Sequence, residues 1–252
     1  MRWTAPDGLE IEGLLALPDG PGPHPLIVDV HGGPVWTYRN MWAMSQMTPL
    51  LVSRGYAVLH PNPRGSSGRG QEFAERVYGD MGGADTQDIL AGVDTLVERG
   101  VVDTHRVGVM GGSYGGYMAS WIITQTDRFA ASVPFSPVTD WISQHYTSNI
   151  GYFDQIFLQD DPTNAEGRYR TRSPITYAGR VRTPTLQTAG KLDRCTPAGQ
   201  AEEFHRALLE HGVASALALY PEEGHGVAHF PAEIDFSARV VGWFERHMPA
   251  RQ

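Results

Sequence analysis

The amino-acid sequence predicts an α/β fold, a mostly parallel central sheet with helices on both faces. Strand-like and helix-like runs alternate along the chain, as a parallel sheet with crossover helices requires. One passage, Val107 to Ile123, runs from an apolar strand through a glycine-bracketed turn directly into a helix. The 252 residues, 41% hydrophobic and 19% charged, suit one large domain that buries most of the surface of its unfolded chain.

Thr4 to Leu17 reads as the opening strands, and Leu26-Ile27-Val28-Asp29-Val30 as an early apolar strand of the sheet. Met41 to Arg54 reads as a helix stopped at Gly55, followed by a strand at Tyr56-Ala57-Val58-Leu59. Asp85 to Arg99 places Ile89, Val93, Leu96 and Val97 near helical spacing, with Gly100 past its end. Val107 to Met110 is a strand, Tyr117 to Ile123 a helix, and Ala131 to Phe135 the next strand. Residues 139–172 break this rhythm, because Trp141, Tyr146, Tyr152, Phe153, Ile156 and Phe157 crowd a segment that reads as an inserted cap or pocket wall. Alternation resumes with a strand at Thr185 to Gly190 and a helix over Pro197 to His211 that Gly212 stops. A strand at Ala216 to Tyr220 and a helix over Ile234 to His247 close a single domain without repeats.

The turn between strand and helix is Gly111-Gly112-Ser113-Tyr114-Gly115. Gly-x-Ser-x-Gly in this context is a nucleophile elbow, where a strained backbone projects the serine and glycines remove Cβ atoms that would clash. A serine hydroxyl is a weak nucleophile and needs a base oriented by an acid. On an α/β sheet these partners follow in the order Ser, acid, His. Asp193 follows the strand Thr185 to Gly190, and His225 lies in the loop Pro221-Glu222-Glu223-Gly224-His225-Gly226 after the next strand. Asp193 would hold the tautomer of His225, and His225 would take the Ser113 proton. His229 and Asp140 are the rivals for these roles. A metal reading of His225 and His229 fails, since no Glu follows the first His and the segment is a loop.

An oxyanion hole needs backbone N–H groups aimed at developing charge. Tyr114, the residue after the serine, supplies one, and His31-Gly32-Gly33-Pro34, immediately after an early strand, supplies the other. Gly33 is the expected donor, with Gly32 the alternative. For a substrate pocket the expected lining is Trp36, Trp141, Tyr152 and Phe153, with Tyr38, Met41, Trp42 and Met44 extending the wall that Trp36 begins. Arg64 is expected to form a structural ion pair with Asp80 or Asp85 in preference to gripping a substrate carboxylate.

A formal net charge of −8 argues against nucleic acid and anionic membrane surfaces as partners. No apolar run approaches membrane-spanning length, and the N-terminus lacks the apolar core of a signal peptide. Cys195 is the lone cysteine, read as a small packing residue and as a sign of a cytoplasmic location.

The chain resembles the catalytic domain of the prolyl oligopeptidase family, especially its acylaminoacyl-peptidase branch. The resemblance rests on His31-Gly32-Gly33-Pro34, Asn62-Pro63-Arg64-Gly65-Ser66, Gly79-Asp80 with Gly82-Gly83-Ala84-Asp85, and Gly111 to Tyr117. It continues through Ser173-Pro174, Asp193-Arg194-Cys195 and Glu223-Gly224-His225-Gly226. It implies an α/β-hydrolase fold, a serine hydrolase that cleaves short peptides or acylated amino acids, and no cofactor or metal. A carboxylesterase acting on small acyl esters with the same machinery is the alternative. The expected partner is a small peptide or ester, and a homo-oligomer is compatible with the sequence. Family members usually carry an N-terminal β-propeller. Because Thr4 to Leu17 reads as hydrolase strands, none is expected before them and an open site is. Prolyl oligopeptidases proper use a tyrosine hydroxyl at the oxyanion loop; His31 stands there in this chain, so backbone amides are expected to carry that role.

Overall fold

The computed structural model describes residues 1–41 and 47–250. The strands are β1 (Arg2–Thr4), β2 (Glu10–Ala16), β3 (His24–Val30), β4 (Ala57–Asn62), β5 (Val102–Gly112), β6 (Ala131–Phe135), β7 (Thr185–Gly190) and β8 (Ser215–Tyr220). They form one sheet in the order β1-β2-β4-β3-β5-β6-β7-β8. β1, β2 and β4 pair antiparallel, and every pairing from β4 through β3 to β8 is parallel. The helices are α1 (Met47–Ser53), α2 (Gln71–Glu75), α3 (Ala84–Glu98), α4 (Tyr114–Gln125), α5 (Trp141–Thr147), α6 (Tyr152–Leu158), α7 (Arg168–Thr171), α8 (Gly199–Glu210) and α9 (Ala232–His247).

Alternation along the central strands sorts side chains onto two cores. Leu26, Val28 and Val30 of β3 and Val107 and Val109 of β5 pack with Ile89 and Val93 of α3, Tyr117 and Ile122 of α4, and Phe204 and Leu208 of α8. Ile27 and Met110 point the other way, onto Leu51 of α1 and Val240 and Phe244 of α9. Both faces of the parallel strands are covered, which is why these strands read as nearly continuous apolar runs. Of the helix expected over Met41 to Arg54, Met47–Ser53 is helical and Met41 is not, while residues 42–46, Trp42 and Met44 among them, lie outside the described residues.

The chain between β6 and β7 folds as α5, α6 and α7, followed by a 3-10 run over Pro174–Arg180. Asp140 caps α5 by accepting from the Ile142 and Ser143 amides. Trp141 is only 1% exposed and packs on Tyr117 and Phe153, so it belongs to the core and offers a ligand no surface. Tyr38 is likewise buried, between His31 and His60. Among the described residues no helix is long and apolar enough to cross a membrane.

Arg64 makes an ion pair, but not with the expected partners. Its guanidinium donates twice to Asp88 of α3, from Nε at 2.9 Å and Nη2 at 2.7 Å, and twice to Asp7, at 2.7 and 3.0 Å. Asp80 pairs with Arg172 instead, and Asp85 accepts from Tyr114. Because the Asp88 side chain is completely buried, removing its partner strands a charge. Arg64→Met is expected to lower stability by about 3–5 kcal/mol, while Asp7→Asn, at the exposed end, costs far less. Urea unfolding checks this, and an unchanged midpoint for Arg64→Met contradicts it.

Candidate active site

β5 ends at Gly112 and α4 begins at Tyr114, so the entire turn is Ser113. Its φ of 58° and ψ of −120° lie in a region costly for a residue with a side chain. The surroundings hold it there: the Ser113 amide donates to the Phe135 carbonyl at 3.1 Å, and its own carbonyl accepts from Tyr117 at 2.9 Å. A Cβ at Gly111 or Gly115 would collide with the Val30 carbonyl, which accounts for glycine at both places. The Tyr114 hydroxyl makes a short hydrogen bond to buried Asp85, fixing the first turn of α4 from the side. Burial raises Asp85 to about 6 against the pull of that bond.

The acid loop follows β7. The Asp193 carboxylate accepts from the Cys195 amide at 2.8 Å, the Thr196 amide at 3.0 Å and the Thr196 hydroxyl at 2.9 Å. His225, in the loop after β8, presents Nδ1 to Asp193 Oδ2 at 2.8 Å. Two backbone bonds tie these loops together, from Lys191 to the Tyr220 carbonyl and from Leu192 to the Glu223 carbonyl. Burial works against the Asp193 carboxylate, yet the hydrogen bonds from His225 and Thr196 hold it below its ordinary range. Asp193, and after it the Cys195 side chain, raise His225 well above the ordinary imidazole value. In the neutral form of the ring, an ionised acceptor on Nδ1 makes that nitrogen the donor and leaves Nε2 as the acceptor. The Asp193 side chain is 0% exposed and that of His225 39% exposed, a buried carboxylate behind an imidazole that meets solvent.

The rivals are committed elsewhere. His229 pairs with Glu223 at 3.0 Å with 81% of its side chain exposed, and Asp140 is a helix cap. The His31-Gly32-Gly33 loop leaves β3 next to the elbow, and a Cβ on Gly32 would lie 3.9 Å from Ser113 Oγ. Tyr114, at the first position of α4, has an N–H with no intrahelical acceptor. Trp36 is 42% exposed and stands edge-on to the His31 ring at 5.6 Å. Tyr152 is also exposed, whereas Phe153 is half-buried against Phe157 and Trp141.

Sequence reasoning missed several supports. Thr196 holds Asp193 through both its amide and its hydroxyl, and its position three residues after an Asp is the spacing of a side-chain-to-backbone turn. The α5–α6 segment grips the same loop: Gln144 Nε2 and Ser148 Oγ both donate to the Cys195 carbonyl at 2.7 Å, and the Asn149 amide donates to the Arg194 carbonyl. Cys195 thus contributes backbone bonds on both sides of the acid loop.

Residues 42–251 match the sequence pattern described as the Prolyl oligopeptidase family. The uncharacterized peptidase YuxL of Bacillus subtilis is 37% identical over 98% of this chain, which spans 39% of that protein. The human acylamino-acid-releasing enzyme is 32% identical over 96% of this chain and 34% of its own length. The uncomplexed Pyrococcus horikoshii acylaminoacyl peptidase superposes with a TM-score of 0.92 at 32% identity, covering all of this chain and 42% of that one. The fold is therefore the α/β-hydrolase fold of these peptidases, and the chain spans about a third to two-fifths of the length of such relatives.

Proposed function

This chain belongs to the prolyl oligopeptidase family of serine peptidases, and from that premise we propose that it cleaves short peptides or acylated amino acids through an acyl-enzyme. Ser113 is the nucleophile and His225 the general base, and Asp193 fixes the base's tautomer and stabilises the imidazolium. The Tyr114 and Gly33 amides receive the oxyanion. The observation that carries this reading is the 2.8 Å hydrogen bond from His225 Nδ1 to a fully buried Asp193, because in the neutral ring it makes Nδ1 the donor and leaves Nε2 able to accept a proton.

In the reaction, Nε2 takes the hydroxyl proton as Oγ attacks the carbonyl carbon. The carbonyl electrons move onto oxygen, held by the two amides, and the tetrahedral intermediate collapses as His225 returns the proton to the leaving amine. Water then repeats the sequence on the acyl-enzyme, releasing the acid and restoring Ser113. Likeness to acylaminoacyl peptidases supports amide cleavage over ester cleavage as the natural reaction. The single cysteine supports a reducing, cytoplasmic setting.

Matched aryl amides and aryl esters of N-acylated amino acids test the reading. Turnover of the amides is expected, and hydrolysis of the esters alone contradicts it. Trp36, exposed beside the oxyanion loop, supplies an apolar wall for the acyl or P1 group, with Tyr152 and Phe153 as further candidates. Trp36→Ala is expected to lower kcat/KM for a large apolar group about tenfold while leaving an acetyl or alanyl substrate nearly unchanged. An equal loss on both substrates removes Trp36 from the pocket.

A further inference from the structure

Asn62-Pro63-Arg64-Gly65-Ser66 leaves the end of β4 alongside the loop that follows β3 and grips it at several points. The Asn62 side chain accepts from the Tyr38 amide at 2.8 Å and donates to the Tyr38 carbonyl at 3.0 Å. The Ser67 amide donates to the Trp36 carbonyl at 3.0 Å. Ser66 Oγ lies 2.9 Å from His31 Nε2, and both residues are buried. From behind, Arg64 and Asp88 anchor this strap to α3.

The protons on His31 can be assigned by elimination. Its Nδ1 lies 2.6 Å from the Gly32 carbonyl oxygen, which can only accept, so Nδ1 carries a proton. Burial pushes His31 down to about 4, so near neutral pH the ring holds one proton and Nε2 is bare. Ser66 must then be the donor to Nε2. The Gly32–Gly33 peptide is trans, so its carbonyl and its N–H point in opposite directions. Whatever pins the Gly32 oxygen on one side therefore aims the Gly33 N–H on the other.

We propose that Ser66 is a positioning residue for the oxyanion hole: its hydroxyl holds His31 in the Nδ1–H tautomer, and His31 pins the Gly32 carbonyl so that the Gly33 amide faces the reacting oxygen. This rests on Gly33 as an oxyanion donor in the proposed mechanism. Without the Ser66 donor, the ring can move its proton to Nε2 and turn a lone pair toward the Gly32 oxygen, which loosens the peptide. The contribution appears when charge develops on the substrate oxygen, so kcat changes while substrate binding does not.

Ser66→Ala is expected to lower kcat about 10- to 100-fold with KM held within about twofold. The inhibition constant of an aryl boronic acid, whose tetrahedral adduct occupies the same hole, should rise by the same factor. Ser66→Thr, which keeps the hydroxyl, should recover most of the loss. In His31→Asn the amide N–H replaces the Nδ1 donor and has no tautomer to choose, so adding Ser66→Ala to that variant should cost less than about twofold. A full Ser66→Ala loss in the His31→Asn background, a loss carried by KM, or a wild-type kcat overturns the proposal. Long-range nitrogen–proton NMR of the wild-type protein tests it without any variant: an Nδ1–H signal for His31 supports it and an Nε2–H signal overturns it. Fluorophosphonate labelling separates the two levels. Failure to label Ser113 in the wild-type protein overturns the catalytic reading beneath the proposal, whereas normal labelling with an unchanged Ser66→Ala kcat overturns the Ser66 role alone.

Discussion

Ser113→Ala is expected to reduce turnover roughly 10⁴- to 10⁶-fold while leaving the fold and substrate binding nearly intact. The side chain does not carry the elbow's structure, because the backbone bonds at Phe135 and Tyr117 hold the turn. Alanine keeps the Cβ and loses only the attacking oxygen. The residual rate comes from binding and from the oxyanion amides, which remain. Steady-state kinetics on an acylated anilide, with thermal unfolding as a control, check this. Activity within about tenfold of wild type would remove Ser113 from the chemistry.

Asp193→Asn is expected to cost about 10⁴-fold in kcat. The substitution puts a neutral amide where the carboxylate now accepts from four donors, and His225 loses the charge that sets its Nδ1–H tautomer. The pH profile supplies an independent signature. His225 works as a base only when neutral, so activity is lost as pH falls through its folded pKa. Asp193, with Cys195 after it, raises that pKa above the ordinary 6.5. The acid limb of kcat/KM in the wild-type protein is therefore expected above the usual histidine range, and Asp193→Asn should move it to lower pH. A limb that stays in place after the substitution contradicts the assignment of Asp193 as the acid partner.

The parts of the fold visible in the sequence are those written in local pattern. Ile89, Val93 and Leu96 mark the buried face of α3 by spacing alone, and Gly100 and Gly212 mark where α3 and α8 stop. Ser113, Asp193 and His225 could be singled out as candidates because each follows a strand, and strand ends on a parallel sheet share one edge. Asp193 and His225 meet there, and Gly32 adjoins Ser113.

What depended on packing between distant segments was not readable. Trp141 and Tyr152 look alike as exposed-or-core candidates, and only the depth of α5 against Tyr117 buries the first and leaves the second in solvent. Arg64 needed a carboxylate, but Asp85 and Asp88 lie one turn apart on α3. Their positions along the helix decide it: Asp85 in the first turn meets Tyr114, and Asp88 one turn further meets Arg64. Ser66 carried no sequence signal of its role, because its partner His31 lies 35 residues away on a neighbouring strand's loop.

The central claim is that Ser113 forms the covalent intermediate, and the most direct measurement is to find the adduct. Treatment of the wild-type protein with a fluorophosphonate probe, followed by proteolysis and mass spectrometry, is expected to place one adduct on the peptide containing Gly111-Gly112-Ser113-Tyr114-Gly115, with none in Ser113→Ala. An adduct on Ser66, Ser67 or any other residue, or labelling that survives Ser113→Ala, would contradict the account.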